Sequence, residues 1–237
     1  MKFWSKRLAV WESIWETDDN IEPLPIVFLM NMDRQDFLQT QLAYWNNEIA
    51  SRPFDPKAYI QRGMVHFKLA EIEASIQDFD RAEELEPTLQ PYLWQRGLSY
   101  YYDRQFQAGA NQFELDLLVN PQDVEETVWR YLCMAQLLGA EGAKECLLSV
   151  RNDPRQVMRQ VYELFAENCR PEDVINTGKK LGKQGQFYAH LYVGLYYEAQ
   201  EDEVRAKDFI VKAASEYPLE DYMWHLAVVH QTVREWV

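Results

Sequence analysis

The sequence is poor in the residues that build sheets, bind nucleic acid or span membranes. Glycine (9) and proline (10) are scarce for an all-β chain of 237 residues, and good helix formers fill long stretches. Lysine and arginine number 24 against 38 acidic residues, a net charge of −14. Such a chain repels phosphate backbones, so we expect no nucleic-acid partner, and an anionic membrane is disfavoured too. The same charge also serves solubility.

Cysteine is rare as well, and its positions form no CxxC pair. Cys133, Cys146 and Cys169 are therefore predicted to be reduced, partly buried thiols of a cytoplasmic protein, with organelle import left open. A Cys133–Cys146 bridge is the alternative.

The N-terminal stretch lacks the apolar core of a secretory signal and any cysteine that could accept lipid. Its longest apolar run, 24–30, is far shorter than a membrane span and is interpreted as an extended or turn segment. We predict that residues 1–32 cap the fold, the alternatives being a membrane-surface helix or a cleaved transit peptide. The capping face of the first helix would contain Phe3, Leu8, Trp11 and Trp15.

A 34-residue repeat organises the chain. The triplet Gln-Arg-Gly occurs at 61–63 and again at 95–97, and Pro53, Pro87 and Pro121 follow at the same step. Each interval holds two helical patterns. A single helix pair cannot bury its apolar face alone, so such pairs stack on their neighbours. The predicted helices are 57–70, 73–85, 90–102 and 106–118, and 33–50 is predicted to be a lone second helix.

The residue types that recur at matching positions of these pairs resemble the pattern of the tetratricopeptide repeat. Its pattern places small residues where two helices cross, aromatics beside them and a closing proline. Asp116 departs from it where alanine is usual, and His190 replaces an early aromatic. The matching residues are Tyr59, Gly63, Ser75, Phe79, Ala82 and Pro87, then Leu93, Gly97, Tyr100, Gly109, Phe113 and Pro121, and finally Gly194, Tyr197, Ala206, Ile210, Ala213 and Pro218.

The resemblance implies an all-α, right-handed solenoid of about five helix pairs with capping helices at both ends. The recurring Arg62 is predicted to stabilise the fold by reaching Asp78, whose equivalent in the next unit is Gln112. The closing helix would use Tyr222, Leu226, Val229 and Val233 as its apolar side. The predicted segments of this one solenoid are 1–32 (cap), 33–122 (a helix and two full units), 123–182 (two degenerate pairs) and 183–237 (the final unit and cap).

A narrower resemblance covers residues 56–230. Phrases such as "QRGLSYYYDRQFQAGANQFELDLLVNPQD", "VWRYLCMAQ" and "FYAHLYVGLYYEAQ" look like the tetratricopeptide adaptor lipoproteins of the NlpI type. That resemblance implies a non-catalytic adaptor, often dimeric, that brings proteases and cell-wall hydrolases together. No lipobox cysteine exists here, so lipid anchoring and a periplasmic address do not carry over.

Motifs for catalysis, cofactors or metals are missing. His66, His190, His225 and His230 are scattered, and HExxH, GxSxG, Walker and GxGxxG patterns do not occur. We therefore predict no enzyme, no catalytic residue, no cofactor and no metal site. The acidic pairs 83–84 and 125–126 are predicted to be solvated, and the glycines at 178, 182 and 185 to form a linker.

The function is therefore expected in the groove. By the family's register, the first helix of each pair lines the concave face, and aromatics dominate binding hot spots. The predicted partner-binding residues are Ile60, Met64, Phe67, Trp94, Leu98, Tyr101, Tyr102, Tyr188, Leu191 and Leu195, with Lys57, Lys68 and Glu198 beside them. This set lacks the Lys/Asn pattern that grips a C-terminal carboxylate.

The prediction for function is an adaptor that binds a helix or an extended segment of another protein in this groove. The alternative from another class is a homodimer whose apolar face serves self-association. An open aromatic groove would be an unusual exposed patch, so two further alternatives stand: these residues belong to the core, or the N-terminal segment covers them.

Overall fold

The computed structural model describes residues 33–236, and this part of the chain is helical throughout, with no strand. The predictions for residues 1–32 therefore lie outside the described residues. The predicted helices agree with the observed ones within a few residues. These are α1 (Arg34–Ser51), α2 (Pro56–Lys68), α3 (Ile72–Leu85), a 3-10 helix (Pro87–Tyr92), α4 (Trp94–Tyr102), α5 (Phe106–Val119), α6 (Val124–Glu145), α7 (Gln156–Phe165), α8 (Pro171–Lys180), α9 (Gly182–Ala199), α10 (Glu203–Glu216) and α11 (Tyr222–Val233).

Helices that follow one another in the chain pack against each other, which confirms the all-α solenoid. Each first helix meets its second helix at a small residue, as the repeat pattern predicts. At Gly97 an added Cβ would lie 2.7 Å from Cζ of Phe113, so any side chain there would require the buried Phe113 ring to move. The core is one continuous apolar cluster, with a smaller cluster of Ile60, Phe79 and Leu93 near the first pair.

Arginines at the 34-residue step tie each pair together. Arg62 donates to both carboxylate oxygens of Asp78, at 2.8 and 2.6 Å, and Arg96 donates to Oε1 of Gln112 at 3.0 and 2.8 Å. These contacts confirm the predicted structural role of Arg62. A third member at the same step, which the sequence reasoning missed, is Arg130. Its guanidinium donates to the carbonyl oxygen of Cys146, just after α6, at 2.7 Å, and its Nε donates to Glu114 of the preceding pair at 2.9 Å.

The middle of the solenoid departs from regular pairing. The helix α6 bends at Gly139, and α9 packs not only on α8 and α10 but also on α6 and α7. The predicted linker at 178–185 is wrong, because α8 and α9 run through it with only Leu181 between them. Glycine is needed there for close approach: a Cβ at Gly178 would lie 2.6 Å from the carbonyl oxygen of Gly185.

Replacing Gly139 by alanine is expected to lower the free energy of unfolding by about 1–3 kcal/mol. Its backbone has φ 76° and ψ 169°, a region that is essentially restricted to glycine. An added Cβ would meet no atom within 4 Å, so backbone strain would be the whole effect. Urea denaturation of both proteins measures this loss. An unchanged midpoint and slope would show that the bend at this residue is unstrained for alanine.

Candidate partner-binding face

The side of the first two units that carries Phe67, Trp94 and Tyr102 is packed against the last helix of the same chain. The helix α11 packs on its neighbour α10 and also on α2, near the other end of the described chain. Its start is fixed by Asp221, which accepts a hydrogen bond from the backbone N–H of Met223 and another from the hydroxyl of Tyr188 (2.8 Å). A capping helix was predicted, and this one also contacts the predicted groove residues Phe67, Trp94 and Tyr102.

Aromatic rings form one end of the contact between the face and α11. The ring of Tyr222 stacks on Phe67, with centroids 5.4 Å apart and planes at 19°. The edge of Trp94 meets the same Tyr222 ring at 5.4 Å. This cradle of two aromatic residues from α2 and α4 therefore holds one aromatic side chain of a helix.

Polar contacts fix the other end of α11. The hydroxyl of Tyr102 lies 3.0 Å from Nδ1 of His230, and Arg234, just after the helix, donates to Glu198 at 2.8 Å. Tyr101 donates to the second carboxylate oxygen of Glu198 at 3.3 Å. Burial lowers the pKa of His230 to about 4, with Glu198 opposing and Arg234 adding to the effect. The imidazole is therefore neutral at physiological pH.

Several polar atoms near this contact have no hydrogen-bond partner among the described residues. They are the hydroxyl of Tyr222, Nε2 of His230 and Nε1 of Trp129, whose ring packs on Tyr101 and Tyr102. A buried polar group left without a partner costs about 1–3 kcal/mol. Among the described residues, the apolar groups of this contact are therefore more fully paired than its polar groups.

The ten predicted groove residues fall into three groups, one of which, Leu98, Leu191 and Leu195, belongs to the main core. Phe67, Trp94 and Tyr102 contact α11, as Tyr101 and Tyr188 do through Glu198 and Asp221. Ile60 and Met64 belong instead to the small cluster between the first two units. Only Met64 and Trp94 are half-buried, and the other eight are buried: Ile60, Phe67, Leu98, Tyr101, Tyr102, Tyr188, Leu191 and Leu195.

Sequence reasoning missed the α11 side of this surface. The sequence predicts that Tyr222, Leu226, Val229 and Val233 form one apolar side of this helix. The structure also buries Met223, Ala227 and His230, so α11 is apolar around much of its circumference. Apolar residues on several sides of this helix were the sequence signal that could have predicted its second contact. A helix that only caps the end of a solenoid is apolar on one side.

Positively charged groups meet where α1, α2 and α11 converge. Nε of Arg34 donates to Nδ1 of His225 at 3.2 Å, and its terminal nitrogen donates to the carbonyl oxygen of Lys68 at 2.6 Å. The ammonium of Lys68 lies 5.6 Å from the centroid of the Tyr222 ring. Burial, with Arg34 nearby, lowers the pKa of Lys68 to about 8, and burial with Lys68 and Arg34 lowers that of His225 to about 3.

The prediction that 125–126 form a solvated acidic pair is wrong. Glu126 is only 9% exposed, and burial together with Asp123 and Asp116 raises its pKa to about 10. Burial raises the pKa of Asp116 to about 8, and that of Glu125, which pairs with Arg155, to about 7. The adjacent outer cleft of about 670 Å³ is lined by Leu115, Leu118 and Leu148 instead of these carboxyls.

The described residues offer neither a cluster of metal ligands nor a membrane-spanning helix. Within residues 33–236, no group of three or more His, Cys, Asp or Glu side chains could hold a metal ion. None of the helices in that range combines the length and apolar character needed to cross a bilayer.

Comparisons with known proteins give distant similarities. No protein-family model matches the chain. The Hsp70-Hsp90 organizing protein of Triticum aestivum is 22% identical over 153 residues, which are 59% of this chain and 26% of that protein. The Protein SGT1 homolog of Bos taurus is 23% identical over 144 residues, 57% of this chain and 42% of that protein. The match therefore spans less than half of either relative, and both similarities support a tetratricopeptide-like helical protein.

Proposed function

We propose that this chain is a non-enzymatic protein-interaction adaptor, and that its aromatic concave face binds a helix of another protein. One observation carries the proposal: the face holds an apolar helix, α11, by seating Tyr222 between Phe67 and Trp94. The similarity to a protein named for organising Hsp70 and Hsp90 supports an adaptor role for this chain. The narrower likeness to NlpI-type adaptors stays a prediction.

A partner helix would bind by replacing α11. Apolar surface that α11 leaves would be covered again by the partner, so most of the burial free energy is conserved in the exchange. Among the described residues, Nε1 of Trp129 and the hydroxyl of Tyr222 have no hydrogen-bond partner. A partner helix that places an acceptor beside either group would gain a hydrogen bond that α11 does not supply, which favours exchange further. The partner expected here is an amphipathic helix with an aromatic anchor and a polar side chain about two turns later.

Self-association is the second candidate function. We propose that a dimer would form through the outer surface of the protein and not through its concave face. Since α11 covers the concave face, a dimer needs another apolar surface, and Leu118 (72% exposed) and Leu148 (39% exposed) line an outer cleft. A Leu118→Glu variant that stays monomeric under conditions where the wild type dimerises would support this alternative.

Binding of the α11 sequence in trans tests the exchange. A fluorescent peptide of residues 219–236 is titrated into the full chain and into a Leu226→Ala/Val229→Ala variant, whose internal helix is weakened. The peptide is expected to bind the variant about tenfold more tightly, because apparent affinity scales with the fraction of molecules whose face is open. Fluorescence anisotropy measures both affinities.

Matched controls separate groove binding from non-specific adhesion. A peptide with Asp in place of Tyr222 and Leu226 should bind neither protein. Adding Trp94→Ala to the opened variant should lower its affinity for the peptide of wild-type sequence. Proteins captured from lysate by the opened variant, and lost with Trp94→Ala, would be candidate partners. Equal peptide affinity for the closed and opened chains would contradict exchange at this face.

A further inference from the structure

The helix α11 carries two of the four histidines of the chain, and both lie in its contacts with other helices. His230 is fully buried, and the hydroxyl of Tyr102 from α4 lies 3.0 Å from its Nδ1. Its Nε2 lies 3.6 Å from Oε1 of Glu198, which is too long for a hydrogen bond. That carboxylate is already paired with Arg234, at 2.6 Å. A proton on His230 would therefore add an unbalanced positive charge to a buried site.

His225 faces positive charge at the start of the same helix. Its Nδ1 accepts a hydrogen bond from Nε of Arg34 in α1, at 3.2 Å, so this nitrogen is unprotonated. Lys68 at the end of α2 acts in the same direction, since both cations disfavour a charged imidazole. The carboxylate of Asp221, which caps α11, is engaged by Tyr188 and by a backbone N–H of the helix. Protonation of His225 would replace the hydrogen bond from Arg34 by repulsion.

We propose that α11 is a pH-sensitive closure, and that protonation of His225 and His230 in mildly acidic solution releases it from the face that carries Phe67, Trp94 and Tyr102. One histidine lies in the first turn of the helix and the other near its end, so charging them weakens the contact at both ends. Release is a property of this chain alone. Its use, the admission of a partner helix at low pH, rests on the proposed function.

The direction of the effect follows from the two states of the helix. A released histidine takes up a proton below about pH 6.5. In the closed state burial lowers the pKa of His230 to about 4, and burial with Lys68 and Arg34 lowers that of His225 to about 3. The stabilisation of the closed state is therefore fully present above about pH 6.5 and is lost as the pH falls towards 4. Each histidine shifts the equilibrium about 20-fold between pH 7 and pH 5.

Hydrogen exchange of backbone amides in the full chain tests the release. Each rate is divided by the rate of an unfolded peptide at the same pH, which gives a protection factor free of the intrinsic pH dependence of exchange. Protection in α11 is expected to fall about 400-fold from pH 7 to pH 5, because the effects of the two histidines multiply. The helix α3, which contains no histidine, is the internal reference for changes in global stability. No partner is needed, so failure of the release and failure of the adaptor function are distinguishable.

Variants assign the effect to the two side chains. His225→Gln/His230→Gln is expected to reduce the fall in α11 protection to less than about threefold, because glutamine stays neutral and keeps an acceptor for the neighbouring donors. His66→Gln, at a histidine of α2, is the matched control and should show the same fall as the wild type.

Titration of the histidine ring protons by NMR needs no substitution, and it decides the matter even if the double variant does not fold. The imidazole of His230 is expected to titrate well below about pH 6.5. The proposal is overturned if α11 keeps its protection at pH 5 or if the double variant loses protection as the wild type does. It is equally overturned if His230 titrates near its ordinary pKa in the folded chain.

Discussion

Replacing Phe67 by alanine is expected to lower the free energy of unfolding by about 3–5 kcal/mol. The side chain is fully buried and contacts two rings, Tyr222 at 5.4 Å and Tyr102 at 5.7 Å between centroids. Because it lies between α2, α4 and α11, its loss leaves a cavity where the two ends of the solenoid meet. Urea denaturation measures the effect.

The same variant tests whether the closing helix is held by this contact. Backbone amides of α11 are expected to exchange with solvent faster in Phe67→Ala than in the wild type. At the start of the helix, near Tyr222, the increase in exchange rate should be larger than the global loss of stability explains. Phe54→Ala is the matched control, since Phe54 is 77% exposed and its removal should change stability by less than about 0.5 kcal/mol. Equal losses in the two variants would contradict the structural role assigned to Phe67.

Replacing Glu126 by glutamine is expected to stabilise the protein by about 3 kcal/mol at pH 7. The carboxyl is buried, its Oε2 has no hydrogen-bond partner among the described residues, and its pKa is raised to about 10. Folding at neutral pH therefore requires that the carboxyl take up a proton. Glutamine is neutral at every pH, so folding the variant requires no such protonation.

The pH dependence gives this prediction its sign. The folded pKa lies above the unfolded value, so Glu126 favours the folded state most below about pH 4.5, and this contribution is lost as the pH rises towards 10. The gain from glutamine should accordingly vanish near pH 4 and grow by about 1.4 kcal/mol per pH unit above it. Urea denaturation at pH 5 and pH 8 measures the difference.

A surface glutamate provides the control for this series. Glu84 is 66% exposed at its side chain and pairs with Arg81 on the same helix. Glu84→Gln should change stability by less than about 0.5 kcal/mol. If Glu126→Gln ran parallel to the wild type across pH, the carboxyl would be ionised in the folded protein, and the assignment would be wrong.

The sequence by itself determined the local architecture. Helix bounds, the pairing of neighbouring helices and the bond from Arg62 to Asp78 follow from a 34-residue period, because each contact joins residues within one repeat or its neighbour. The same reasoning placed Phe67, Trp94 and Tyr102 together on one face. It misjudged Glu126, because a charged pair reads as solvated when the packing above it is unknown.

Only the tertiary structure decided what covers that face. Arg34 meets His225 across 191 residues, and Tyr102 meets His230 across 128. Such contacts join helices that are far apart in the chain, and the bend at Gly139 and the packing of α9 on α6 and α7 lie between them. A repeat period fixes the geometry between one helix pair and the next. Small deviations in the degenerate middle pairs, 123–182, add up along the chain. Where the two ends meet is therefore a property of the whole fold.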